Sequence, residues 1–167
     1  MANLGELKKL GLPVPEGFAI TAHAFKIFLE HNDLSKKIFS RLEHIDIHDL
    51  ESLEAASRDI QQMIRSAELP ESLLAVITDA YHVIQQTIGR PVRVSIRSSA
   101  LQEDGEFSFA GQYTTVLNVM SQDIPEKYKE VVASLFGQRA IFYWKNKGFS
   151  EFDMAMPVGV LQMIDAK

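Results

Sequence analysis

The chain has 167 residues, 46% hydrophobic, 23% charged and 9% aromatic. That is the composition of one soluble globular domain, not of a disordered, collagen-like or coiled-coil chain. Seventeen Lys and Arg against 22 Asp and Glu give a formal charge of −5, so no cationic excess serves sequence-independent nucleic-acid binding, while a local basic site stays open. With no cysteine, disulfides, thiol catalysis and thiolate metal sites are excluded. No stretch approaches the ~18 to 20 apolar residues of a membrane span, and Met1 to Lys9 lacks the cationic start and apolar core of a signal peptide. These features predict a cytoplasmic protein with neither nucleic acid nor membrane as partner, and they leave the oligomeric state open.

The first element is predicted as a short helix from Ala2 to Leu10, apolar at Leu4, Leu7 and Leu10 and halted by Gly11, Pro13 and Pro15. Gly17 to Ile20 is a short apolar run suited to a buried strand. Thr21 is placed to cap a helix whose Phe25, Phe28 and Leu29 share one face. From Leu34 to Leu69, apolar residues at Leu50, Leu53, Ile60, Met63 and Ile64 recur at helical spacing among charges, predicting two or more rim helices. Pro70 opens a further helix with a stripe at Leu73, Ile77, Tyr81, Ile84 and Ile88, ended by Gly89 and Pro91.

After Pro91 the period changes to alternation, with Val92, Val94 and Ile96 on one side and Arg93, Ser95 and Arg97 on the other, which is a strand. A polar, glycine-containing stretch from Ser98 to Gly111 leads to a second strand, Tyr113 to Val119, in the right order for an antiparallel partner. Connections of about a dozen residues tend to be functional or mobile. Pro125 opens a long helix through Trp144, bent at Gly137 and stopped at Gly148. Pro157 to Ile164 reads as a buried strand near the end. A core strand beside a chain end would expose unpaired backbone, so its position is read as a hint of truncation.

The densest polar constellation is Ser95-Ile96-Arg97-Ser98-Ser99-Ala100, followed by Glu103-Asp104-Gly105 and Ser108-Phe109-Ala110-Gly111-Gln112. An arginine at a strand end presents a planar fork of donors that matches phosphate oxygens, and serine hydroxyls and glycine-flanked amides add neutral donors. Those residue types also suit a plain structural role, in which Arg97 pairs with Glu103 or Asp104 and pins a loop. Residue types alone leave both readings open.

Val94-Ser95-Ile96-Arg97-Ser98-Ser99-Ala100, Glu103-Asp104, Ser108-Phe109-Ala110-Gly111-Gln112 and Leu117-Asn118-Val119 together resemble the V-x-V-R-S-S-A…E-D…S-F-A-G-Q…L-N-V pattern of the nucleotide-binding domain of phosphoenolpyruvate synthase and pyruvate phosphate dikinase. The opening is similar to the family's as well, in Ala2-Asn3-Leu4-Gly5-Glu6-Leu7 and Val14-Pro15-Glu16-Gly17-Phe18. So are Arg139-Ala140-Ile141, Tyr143 and Val158 to Ile164. The resemblance covers nearly the whole chain. It implies an α+β, ATP-grasp-type nucleotide-binding lobe, a mixed or antiparallel sheet with flanking helices, incomplete by itself. Its helical part would span about 22–89, and its strand-rich, phosphate-binding part about 90–120 and 156–165.

The resemblance further implies ATP with Mg²⁺, a histidine on a separate swivelling domain that ATP phosphorylates, and a pyruvate-binding domain served by that phosphohistidine. Arg97 would contact the ATP phosphates as the catalytic group, since phosphoryl transfer is mostly positioning and charge stabilisation. Gly111 and Thr115 would border the phosphates, Gln162 would face adenine and ribose, and Ser98 and Gln112 would join the nucleotide contacts. Antibiotic- and glucan-phosphorylating enzymes carry the same domain, and a non-catalytic nucleotide-binding or regulatory module is the rival of another class. Two departures bear on activity. The family's lysine before A-N-L would fall immediately ahead of Met1, and its Mg²⁺ ligands would lie past Lys167, so the chain is read as a fragment that does not complete phosphoryl transfer alone.

Quieter candidates have plain readings. His44 and His48 are four apart with Asp46 and Asp49 nearby, but Ile45 and Ile47 alternate with them and no third ligand is evident, which favours exposed surface residues over a metal site. His23 and His82 are read as partly buried polar partners. Phe107, Phe109 and Tyr113 flank the polar loop, and Phe109 is read as an anchor in the core. Lys145, Lys147 and Arg139 suit a helix carboxyl end.

Overall fold

A computed structural model describes residues 2–98, 114–147 and 156–164. Helix α1 (Ala2–Lys9) ends where Gly11 turns left-handed at φ 76°, a conformation open to glycine at little steric cost. Leu7 in this helix, and Leu10 and Leu12 just after it, are exposed. Strand β1 (Gly17–Ile20) then leads into α2 (Ala22–His31), where the Thr21 hydroxyl accepts the Ala24 N–H at 3.2 Å as predicted. Phe25, Phe28 and Leu29 are all buried.

The rim segment folds as α3 (Leu34–Glu43) and α4 (Leu50–Ser66), the latter burying Leu53, Ala56, Ile60 and Ile64 while Leu50 stays exposed. Helix α5 (Glu71–Ile88) buries Leu73, Ile77, Tyr81 and Ile84 and ends at Gly89 with φ 75°. Side chains tie the helices to their surroundings. Asn32 donates to the carbonyls of Phe28 and Glu68 and accepts the Glu68 N–H, so one amide side chain closes both the end of α2 and the α4–α5 connection. Buried Lys129 donates to the Ala67 carbonyl at 3.1 Å while paired with Glu126. His23 and His82 are exposed, not partly buried, because both fall on the solvent side of their helices.

The long carboxyl-terminal helix is two helices and not one bent helix. Helix α6 (Ile124–Ala133) passes through a single 3-10 turn (Ser134–Phe136) to α7 (Gln138–Lys147), with Gly137 extended at ψ 153°. The break frees the Phe136 carbonyl, which accepts the Ser57 hydroxyl at 2.7 Å and the Gln61 amide at 3.4 Å; a buried acceptor released from a helix must find such partners. Gly148 lies outside the described residues.

Among the described residues, strands β2 (Val94–Ser98), β3 (Thr115–Val119) and β4 (Val158–Gln162) join β1 in a four-stranded sheet of order β1-β4-β2-β3. Every pairing is antiparallel, which selects the antiparallel branch of the expected sheet within an α+β architecture. Strand β4, expected as a buried strand near the chain end, is buried and interior, with β1 on one side and β2 on the other. Gly17 pairs with Leu161 there, and a Cβ at Gly17 would sit 2.4 Å from the Val160 carbonyl oxygen, so only glycine fits that close approach.

Helix α6 lies across the sheet and α4 packs on α6, with α3 and α7 against α4 and α5 against β1. Val94, Ile96, Val158 and Val160 face this core, fully buried, beside Phe28, Tyr128 and Phe136. Tyr128 meets Phe28 edge to face at 6.1 Å, and its hydroxyl is buried with no hydrogen-bond partner among the described residues, so burial pushes the phenol well above its ordinary pKa. No helix among the described residues is long and apolar enough to cross a membrane.

Candidate functional site

Alternation along β2 puts Arg97 on the sheet face opposite the core, where it is exposed. Its cross-strand neighbours are Thr115 on β3 and Gly159 on β4. The guanidinium therefore has a hydroxyl-bearing side chain on one flank and no side chain on the other. Among the described residues no hydrogen bond or ion pair engages it. An exposed guanidinium with its donors unspent, next to a threonine hydroxyl, can take an anionic oxygen in charge-assisted hydrogen bonds.

Two other features hold this pair in place. Ser134, in the turn between α6 and α7, donates to the Val131 carbonyl and accepts the Thr114 N–H at 3.1 Å, fixing the chain one residue before Thr115. At the other end of β3, Arg93 donates to the Asn118 carbonyl at 3.1 Å. The sequence places Arg93 on the outward face of the strand and Asn118 in the motif, but it gives neither of them this role. The available signal was an asparagine inside a run of strand formers, since asparagine is among the few side chains that tolerate positive φ.

The remaining predicted residues are placed differently. Ser98 is buried and shares the core face with Val94 and Ile96, as strict alternation demands of Arg97's neighbour. Gln162 pairs with Val94, at the far end of β2 from Arg97 and on the core face, half-buried. The structure thus brings Arg97 and Thr115 together and sets Ser98 and Gln162 apart from them. Gly111 and Gln112 lie outside the described residues, as do Glu103, Asp104, Phe107, Phe109 and Tyr113.

Among the described residues no group of three His, Asp or Glu could hold a metal ion. His44 and His48 are both exposed. The His44 ring approaches the Ser40 carbonyl at 3.0 Å, and His48 packs edge to face on Phe142. At the basic end of α7, Lys145 donates to the Glu43 carbonyl of α3.

Comparison with known proteins agrees with a nucleotide site. The family model described as pyruvate phosphate dikinase, AMP/ATP-binding domain, matches residues 1–167. The chain is 41% identical over 168 residues to a probable phosphoenolpyruvate synthase of Archaeoglobus fulgidus, covering 99% of this chain and 22% of that protein. It is 40% identical to a probable phosphoenolpyruvate synthase of Methanothermobacter thermautotrophicus, covering 99% of this chain and 25% of that one. With the phosphoenolpyruvate synthase of Neisseria meningitidis the identity is 39%, over 98% of this chain and 21% of that one. The chain therefore spans a quarter or less of the length of these relatives.

Proposed function

Because the chain belongs to the pyruvate phosphate dikinase AMP/ATP-binding domain family, we propose that it is the ATP-binding portion of a phosphotransferase, with Arg97 and Thr115 bordering the nucleotide's phosphates. The observation that carries this reading is the exposed Arg97 guanidinium, unengaged among the described residues and paired across the sheet with Thr115. In this reading the lobe is half of an ATP-grasp arrangement that acts in the cytoplasm. The longer protein uses ATP to phosphorylate a histidine on a swivelling domain, and that phosphohistidine then serves pyruvate to form phosphoenolpyruvate. The names of the relatives favour pyruvate over an antibiotic or a glucan as acceptor.

The chemistry asked of these residues is modest. Arg97 binds and orients phosphate oxygens and offsets the negative charge that develops on them, and the Thr115 hydroxyl adds a neutral donor. Neither forms a covalent bond. Gly111 and Gln112 join the proposal through their motif alone, and Ser98 and Gln162, on the core face, are assigned no contact. Mg²⁺ accompanies the nucleotide in this proposal, but the described residues offer it no ligand cluster, so no step is routed through it.

Calorimetric titration of the chain with Mg-ATP tests the reading, with Arg97→Ala as the comparison and circular dichroism to verify that both are folded. Loss of a hydrogen bond to a charged group predicts Kd raised about tenfold or more in the variant. Equal affinity of the two proteins would remove Arg97 from the site. A well-folded wild-type chain that binds no Mg-ATP would overturn the view that this lobe holds part of the site by itself.

A further inference from the structure

Strand β3 does not pair evenly with β2. Val94 faces Val119 and Ile96 faces Val116, so three steps along β3 are matched to two along β2, and Leu117 and Asn118 together oppose Ser95. The extra residue coincides with Asn118 at φ 60°, one of two non-glycine residues with positive φ among those described. Such an insertion bends the strand and resets its register.

The reset decides which side chain stands beside Arg97. If the Val94–Val119 pairing continued without the extra residue, Ile96 would face Leu117 and Arg97 would face Val116. Thr115 would then move opposite Ser98, on the core face. A one-residue slip carries a side chain to the other side of the sheet. In the structure Val116 packs against the core while Thr115 is exposed beside Arg97.

We propose that Asn118 is a positioning residue for the phosphate-binding pair: its left-handed backbone, latched by the Arg93 guanidinium on its carbonyl, sets the register that delivers Thr115 to Arg97. The proposal rests on the reading of Arg97 and Thr115 as phosphate ligands, and it is separable from it because register and binding are measured independently. Asparagine tolerates this conformation, glycine adopts it freely, and a β-branched residue resists it. Between Asn118 and Thr114, the latter fixed by Ser134, β3 is held at both ends.

The experiment compares wild type, Asn118→Val and Asn118→Gly by nuclear Overhauser contacts between β2 and β3 in the isotope-labelled chain, then by Mg-ATP titration. In wild type and Asn118→Gly the expected contacts join Arg97 to Thr115 and Ile96 to Val116. In Asn118→Val they move to join Arg97 to Val116, with Mg-ATP affinity down about tenfold, the worth of one hydrogen bond to a charged group. Unchanged register in a folded Asn118→Val would overturn the proposal. Altered register with unchanged affinity would leave Asn118 setting the pairing and overturn Thr115 as a phosphate ligand.

Should Asn118→Val not fold, Arg93→Ala decides, because Arg93 is exposed and its removal leaves the core intact. Faster amide exchange at Val116 and Val119 together with weaker Mg-ATP binding supports the latch. Unchanged exchange across β3 overturns it.

Discussion

At the scale of single residues, the two most informative groups lie on opposite sides of the sheet. Among the described residues, Arg97 is exposed and unengaged, whereas the Tyr128 hydroxyl is buried with no partner. A polar group that gave up water and gained nothing costs about 1–3 kcal/mol, so Tyr128→Phe is expected to raise the stability of the chain by about 1 kcal/mol in a denaturant titration. The same burial sets a pH dependence. The folded-state phenol titrates above its ordinary 10.0, so above that pH the unfolded chain loses a proton that the folded chain keeps. Stability therefore holds below pH 10 and falls above it by about 1.4 kcal/mol per pH unit. Unfolding measured from pH 9 to 11 should show this alkaline loss in wild type and a smaller one in Tyr128→Phe.

At the scale of elements, the break between α6 and α7 does more than end a helix. It leaves the Phe136 carbonyl to α4 and the Ser134 hydroxyl to the start of β3, linking the helical layer to the chain entering the candidate site. Ser57→Ala removes the shorter of the two bonds to Phe136 and leaves Gln61 to take the acceptor. The expected loss is about 1 kcal/mol, at the low end for a buried acceptor, measurable as a lowered denaturation midpoint. Gly17→Ala is expected to cost more, about 2–3 kcal/mol, because the new Cβ meets a backbone carbonyl that cannot swing away. An alanine variant as stable as wild type would show that β1 can shift on β4 at little cost.

Element identity was largely legible in the sequence, for reasons confined to a few residues at a time. Thr21 caps α2, Gly89 ends α5 and the change to alternation after Pro91 marks β2, each through contacts within about one turn or one strand. Gly137 was legible as an irregularity but not as a full break, because its extended ψ is stabilised by Ser57 and Gln61, more than 70 residues away in sequence. The site was legible only in part. Alternation alone places Arg97 outward and Ser98 inward, so the grouping of Ser98 with Arg97 followed a motif where the strand period pointed the other way.

At the scale of the molecule, a ligand held by the folded site and not by the unfolded chain stabilises the whole by mass action. At a free Mg-ATP concentration about 100 times Kd the gain is about 2.7 kcal/mol, which for a chain of this size raises Tm by roughly 5–10 °C. Thermal scans with and without Mg-ATP should show that rise in wild type and a smaller one in Arg97→Ala. A rise of equal size in both would place nucleotide binding elsewhere on the chain.

Read by itself, the amino-acid sequence determined most of the helices and strands, many of their ends, the outward direction of Arg97 and the family to which the chain belongs, but not the break between α6 and α7. These depend on side-chain period, caps, breakers and an ordered set of motifs, all carried by neighbouring residues. Tertiary structure alone decided that β4 lies inside the sheet, that Gln162 stands at the far end of β2 on the core face, and that Thr115 shares a face with Arg97. Strand order and register are fixed by pairing between segments far apart in the chain. A single left-handed residue such as Asn118 changes which side chains meet without altering the local pattern from which they would be read.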